Sequence, residues 1–192
     1  RAAHAGGAEV YTIDDLRTFD ASHQPNSGNI RVTHPNGNVR EYTVDSQKGI
    51  TSVSQPGGSG CDASTSTINY ATNGDVQWKA DFNGKKVCFG YEAGRSLETT
   101  RVEGLAKTAT CTAPLADGAT LPVGSRKVST QWHPQWKLEV RKAEPGKITT
   151  TIYNGQPDPL NANAVASCAP ANALLPEGSP IAVVCKRHEQ AT

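Results

Sequence analysis

From Asp75 to Phe82 the chain alternates polar and apolar residues without an error, and the run lies between Asn73-Gly74 and Asn83-Gly84. A period of two places Val76, Trp78, Ala80 and Phe82 on one side, which marks a strand with one dry face and one wet face. Asn-Gly between two such runs is the strongest short-range signal for a β-hairpin. The pattern recurs along the sequence. Arg40, Tyr42 and Val44 alternate with Val39, Glu41 and Thr43, and Ile148, Thr150 and Ile152 face away from Thr149, Thr151 and Tyr153. Trp136 to Arg141 alternates in the same way, and further turns are marked by Asn36-Gly37, Pro145-Gly146 and Asn154-Gly155. The chain is therefore predicted to be mainly β, an antiparallel hairpin ribbon or curved sheet.

One short helix is expected near the start. Thr12-Ile13-Asp14-Asp15 offers a hydroxyl cap with an acid three residues on, and Leu16 and Phe19 fall on one helical face before Pro25-Asn26-Ser27-Gly28 ends it. Residues 1–28 then form an N-terminal segment, and 29–192 form one β module. Insertions near 108–126 and 156–180 are rich in Ala, Pro and Gly or otherwise break the pattern. The composition fits an extracellular or envelope β-protein, with 36% hydrophobic and 19% charged residues and Gly 18 and Pro 12 among 192.

With a net charge of +1 and no basic run longer than Lys85-Lys86, the chain lacks the concentrated footprint of a nucleic-acid binder. No apolar run approaches the ~20 residues of a membrane helix. Met is absent, so the chain is expected to be a processed or excised piece of a longer product, and no signal peptide is visible at Arg1–Gly7.

Three segments share a frame of turn Gly, basic or amide residue, and a strand ending near Tyr. They are His34–Asp45 around Gly37 and Tyr42, Asp81–Glu92 around Gly84 and Tyr91, and Ala143–Asn154 around Gly146 and Tyr153. The fullest copy runs from Asn69-Tyr70 through Asp81-Phe-Asn-Gly84 to Tyr91-Glu92-Ala-Gly94-Arg95-Ser-Leu97. These residues resemble the YD repeat of Rhs-type proteins, and the resemblance extends from about Asn29 to the C-terminus. Val128 to Lys186 is similar to the same bacterial family through Gln131-Trp-His-Pro-Gln-Trp136, Tyr153-Asn-Gly-Gln-Pro-Asp-Pro159 and Ala166-Ser-Cys-Ala-Pro170. Glu92 stands where the repeat usually has Asp, and the spacing to Arg95 is one residue shorter than the common form. The resemblance implies a β-ribbon that spirals into a shell, with neighbouring repeats of a parent chain as partners. In the polymorphic toxins such a shell encloses a toxic domain after an Asp-Pro-x-Gly element, which Asp158-Pro159-Leu160-Asn161 does not match.

The candidates for chemistry are few. Trp132-His133-Pro134-Gln135-Trp136 is the densest aromatic cluster. Trp132 and Trp136 can stack on sugars or apolar ligands, or can belong to a sheet face, and Tyr91 is a lesser binding candidate. His133 falls off the alternating face and is a candidate general base. Cys61, in the loop Gly57-Gly58-Ser59-Gly60-Cys61, could pair with it as a thiol nucleophile. Asp62, Asp75 and Asp81 lie near turns, where calcium can collect oxygen ligands; no other cofactor is predicted.

The five cysteines form no Cys-x-x-Cys pair, so zinc is not expected. Cys168 and Cys185 either close a short loop as a disulfide or stay as buried thiols. The odd count leaves at least one thiol unpaired within the chain. The leading expectation is a secreted or envelope-associated structural module. Such a module would contact carbohydrate or protein, or associate with itself through sheet edges. The alternative is a small hydrolase of ester, lactone or glycoside bonds built on the same scaffold.

Overall fold

The computed structural model describes residues 9–192, so Arg1–Gly7 and His4 lie outside the described residues. The fold is mainly β. Twelve strands form one antiparallel sheet, eleven of them in chain order followed by the last strand of the chain. The chain divides into two compact units, residues 9–89 with 103–125 and residues 90–102 with 126–192.

The first unit holds β1 (Thr12–Asp15), β2 (Gly28–Thr33), β3 (Val39–Asp45), β4 (Gly49–Gln55), β5 (Ser64–Tyr70), β6 (Val76–Ala80), most of β7 (Lys85–Tyr91) and the end of β8 (Glu98–Ala106). Several of its tight turns share one construction. Between β6 and β7, Asp81 N–H donates to Lys85 O at 2.9 Å and Gly84 N–H donates to Asp81 O at 3.2 Å. Gly84 has φ +73°. This is a three-residue loop, a type I turn closed by one left-handed residue, and not the two-residue loop that Asn-Gly most often signals. The Asp81 carboxylate accepts from Asn83 N–H at 2.9 Å and Lys85 N–H at 2.8 Å, which holds the turn from inside. The same two backbone bonds close 34–38 and 71–75 in this unit, with Gly37 and Gly74 as the left-handed residues.

The same device corrects the expected N-terminal helix. Thr12–Asp15 is strand β1, paired with β2 from Thr12↔Thr33 to Asp15↔Ile30. Asp20 begins a fourth such loop, closed by Asp20 N–H to Gln24 O at 2.9 Å and His23 N–H to Asp20 O at 3.0 Å. His23 takes the left-handed place at φ +59°. Asp20 accepts from Ser22 and Gln24 N–H, each at 2.8 Å. Asp15 caps nothing helical; it holds Arg17 in a bidentate pair that lowers its carboxyl to about 2. Asp begins type I turns as readily as it begins helices, and here the turn wins because Leu16 and Phe19 find no apolar face to bury.

The helix that does form is α1 (Thr112–Leu115), inside the predicted insertion. This loop is tied to its own unit at several points. Cys111 is disulfide-bonded to Cys88, which is fully buried on β7. Lys86, 7% exposed, donates to Ala109 O at 2.6 Å with its ammonium 4.6 Å from the Trp78 ring centre. Cation–π contact and a carbonyl acceptor replace the water that a buried ammonium gives up. Ala80, Cys88 and Leu105 form the buried apolar centre of this unit.

The second unit contains β9 (Arg126–Trp132), β10 (Glu139–Glu144), β11 (Lys147–Tyr153), the short hairpin β12 (Pro157–Asp158) and β13 (Ala164–Val165), and β14 (Val184–Ala191). Leu97, Val102, Val128, Ile152 and Tyr153 are its buried apolar residues. The strand expected from Trp136 starts only at Glu139. Residues 133–138 form the β9–β10 loop, closed by His133 N–H to Leu138 O at 2.8 Å. Pro134 lacks an N–H and so cannot continue β9. Cys168 and Cys185 are joined by a disulfide, which anchors the segment after β13 beside β14. Each of the two bridges is worth about 3 kcal/mol through loop closure. Among the described residues, no helix is long and apolar enough to cross a membrane.

Close approach at Gly104 gives a test of the first unit. A Cβ there would lie 2.7 Å from Gly124 O, at φ +80°, whereas a Cβ at Gly37, φ +82°, meets nothing within 4 Å. Gly37→Ala should lose only the left-handed penalty, about 1–2 kcal/mol. Gly104→Ala should lose about 3 kcal/mol or more, because the backbone must also move. Urea unfolding of both variants measures the difference, and equal losses would contradict the contact.

Candidate functional site

The sequence candidates divide between the two units. Cys61 is exposed on a first-unit loop and is the free cysteine among the described residues. That loop is pinched by Gly58 N–H to Cys61 O at 3.0 Å and Cys61 N–H to Gly58 O at 3.2 Å. It borders a cavity of about 330 Å³ with His34 and Arg40 on its wall. The acids serve their turns: Asp81 as described, and Asp75 through Asn73 Nδ2 at 2.6 Å. Asp62 is exposed. Among the described residues, no three His, Cys, Asp or Glu side chains assemble as a metal-binding group.

The densest cluster of candidates is in the second unit and begins at the end of β7. Tyr91 ends the strand, and the chain turns through Glu92–Leu97, closed by Glu92 N–H to Leu97 O at 2.9 Å. Within the turn, Arg95 grips the Glu92 carboxylate with Nε to Oε1 at 2.9 Å and Nη2 to Oε2 at 2.6 Å. The remaining edge of the guanidinium faces the β9–β10 loop. Arg95 Nη1 donates to His133 O at 2.8 Å and Pro134 O at 3.1 Å. A planar fork can serve a carboxylate and two carbonyls together, which an ammonium cannot. Trp132 Nε1–H donates to Glu98 O at 2.8 Å and ties the same loop to the start of β8.

His133 is buried, at 2% exposure, and this corrects the expectation of an available base. Its Nδ1 accepts from Gln135 N–H and Trp136 N–H, each at 3.2 Å, so the neutral ring carries its proton on Nε2. The ring meets Tyr153 edge-on, with centres 5.9 Å apart, and Tyr153 O–H donates to Glu139 O at 3.2 Å. Burial, and then the Arg95 charge, lower the His133 pKa below its ordinary 6.5. Burial first and Glu139 second push the Tyr153 hydroxyl up. The cluster can brace a loop; with its lone pair occupied, His133 has no free atom for proton abstraction in this arrangement.

Trp136 stands apart. It is 38% exposed on the loop tip, beside a shallow cavity of about 400 Å³ shared with Leu138, Leu175 and Ala182. It is not on the β10 face that its alternation with Leu138 and Val140 suggested. Arg95 was missed as a key residue, because its partners lie 38 and 39 positions away. Its place in the Tyr-Glu-Ala-Gly-Arg string was the available clue.

His133 binds a proton more weakly when folded than when unfolded. Below pH 6.5 the unfolded chain therefore takes up a proton that the folded chain resists. Stability should be full above that pH and should fall as pH drops toward the lowered folded value. Urea midpoints between pH 7.5 and pH 5 should show this slope, and His133→Gln should flatten it. Arg95→Ala should cost about 2–3 kcal/mol through its charged hydrogen bonds, and Arg95→Lys should restore less than half of that. Full rescue by Lys would mean that charge alone matters. Compared with known protein families and with curated proteins, the chain matches no family model and no curated relative.

Proposed function

We propose that this chain is a non-catalytic scaffold module of the Rhs/YD-repeat kind, a length of β-ribbon from a larger repeat shell outside the cytoplasm. The observation that carries the reading is the turn from Tyr91 to Leu97. A Tyr at the strand end, an acid after it and then Gly and Arg are the residues that resemble the repeat, and three residues of this turn have a mechanical part. Glu92 holds Arg95, Arg95 holds the loop of the next hairpin, and Leu97 is buried. Such a turn fastens one hairpin to the next and needs no ligand.

The meander of sequential strands supports the same reading. Two disulfides fit an oxidising compartment, as expected outside the cytoplasm. The exposed indole of Trp136 is the best surface for contact with carbohydrate or an apolar partner group. The hydrolase alternative draws no support from His133, whose ring is enclosed and whose lone pair is engaged.

A ribbon cut from a longer sheet keeps terminal strands ready to pair. β14 has β11 on one side and is exposed along most of its length. The chain should therefore associate as its concentration rises toward about 100 µM, as followed by light scattering. Successive N–H groups on a strand point to opposite sides. So one of the variants His188→Pro and Glu189→Pro should suppress association while the circular dichroism of the sheet is kept. A chain that stays monomeric, or two variants that both associate fully, would count against the module reading. So would turnover of ester, lactone or glycoside substrates that is lost in a folded His133→Gln variant.

A further inference from the structure

The second unit encloses a cavity of about 450 Å³ that none of the sequence candidates touches. Its floor is the face of β11 that bears Ile148, Thr150 and Ile152, and its cover is the β12–β13 segment with Pro157, Pro159 and Leu160. Apart from Thr150 these are apolar groups, and a space of this size suits a small organic molecule. The polar groups at its rim come from register. Arg141 is opposite Thr150 on β11 and opposite Gln131 on β9, so the three form one row across neighbouring strands.

Among the described residues, Arg141 is the one charged residue that lines the cavity. It is half-buried, and no ion pair or hydrogen bond engages its side chain among the described residues. The acid nearest in sequence to the cover is already committed: Asp158 accepts from Leu160 N–H at 2.9 Å and pairs with Lys186 at 3.7 Å. Gln131, Gln156 and Gln190 at the rim are likewise without side-chain partners among the described residues. A half-buried guanidinium with no counter-ion, above an apolar floor and beside free amides, is complementary to one negative charge on an apolar body. One cation matches a carboxylate; a phosphate dianion would need a second cation on the wall.

We propose that this cavity binds a small organic carboxylate, with its carboxylate on Arg141 and its apolar body over Ile148 and Ile152 under Leu160. The site is independent of the scaffold reading, since a module can carry it whether or not it belongs to a repeat shell.

The test uses the whole chain and 4-phenylbutanoate as probe, with binding followed by titration of amide NMR shifts. A ligand of this size should bind with a Kd in roughly the millimolar range. The uncharged 4-phenylbutanamide should bind at least about tenfold more weakly, as expected for loss of a charged hydrogen bond. The phosphate monoester of 4-phenylbutanol should bind no better than the carboxylate. Arg141→Gln should lose about tenfold or more, whereas Lys142→Gln, on the opposite face of the same strand, should stay within about twofold. If Arg141→Gln fails to fold, the three ligands on the unaltered chain decide the matter, with Arg141→Lys as the folded comparison. The proposal is overturned by no saturable binding, by equal binding of acid and amide, by tighter binding of the phosphate, or by equal losses in the Arg141 and Lys142 variants.

Discussion

A residue at positive φ, three places after the start of the loop, sets the register at several tight loops of this fold. Gly37, Gly74 and Gly84 fill that place in the first unit, Gly178 fills it in the second, and His23 takes it without glycine's freedom. The left-handed step reverses the chain with a twist that matches the strands on either side. Because side chains alternate, a one-residue slip in any of these loops would turn every following side chain to the wrong face. The half-buried faces of β6, β7 and β11 depend on loops a few residues long that contain almost no hydrophobic group.

The apolar core of each unit is small, and other restraints take up the remainder. In the first unit, Lys86, Trp78 and the Cys88–Cys111 bridge hold a loop that would otherwise cover its strands only loosely. In the second unit, Asn154 does similar work. Its side chain accepts from Cys168 N–H at 3.0 Å and Ala169 N–H at 3.2 Å, beside the Cys168–Cys185 bridge. Gly155 leaves room for Pro180, which lies where a Cβ would fall. Polar anchoring of this kind specifies one arrangement of a loop, whereas hydrophobic contact alone tolerates several.

Local features were legible in the sequence, and long-range ones were not. Alternation at Val76–Ala80 and the turn glycines marked hairpins, because both depend on neighbours only a few residues away. Thr12 to Asp15 was ambiguous at that range, since a hydroxyl followed three residues on by an acid reads as a helix cap until the pairing of β1 with β2 is known. Trp136 continued an alternation by coincidence, because the loop closed by His133 and Leu138 depends on where β10 pairs. The burial of His133 needed Arg95 and Tyr153, both distant in sequence. In the sequence Lys86 stood out only as half of the basic pair Lys85-Lys86, and its contacts with Trp78 and Ala109 come only from the fold. The row of Gln131, Arg141 and Thr150 exists only once three strands are in register.

The hairpin loops also carry a chemical clock. In Asn-Gly the following peptide nitrogen is unhindered and can attack the asparagine amide, and Asn is among the thermolabile residues for this reason. Asn36 and Asn73 hold their side-chain oxygens on the N–H groups of Asn38 and Asp75, at 3.1 and 3.2 Å. Asn83 is exposed, and no hydrogen bond holds its side chain among the described residues. Ageing of the purified protein should therefore begin at the β6–β7 loop. Isoaspartate there would lengthen the backbone by one carbon, inside a turn whose work is to count residues.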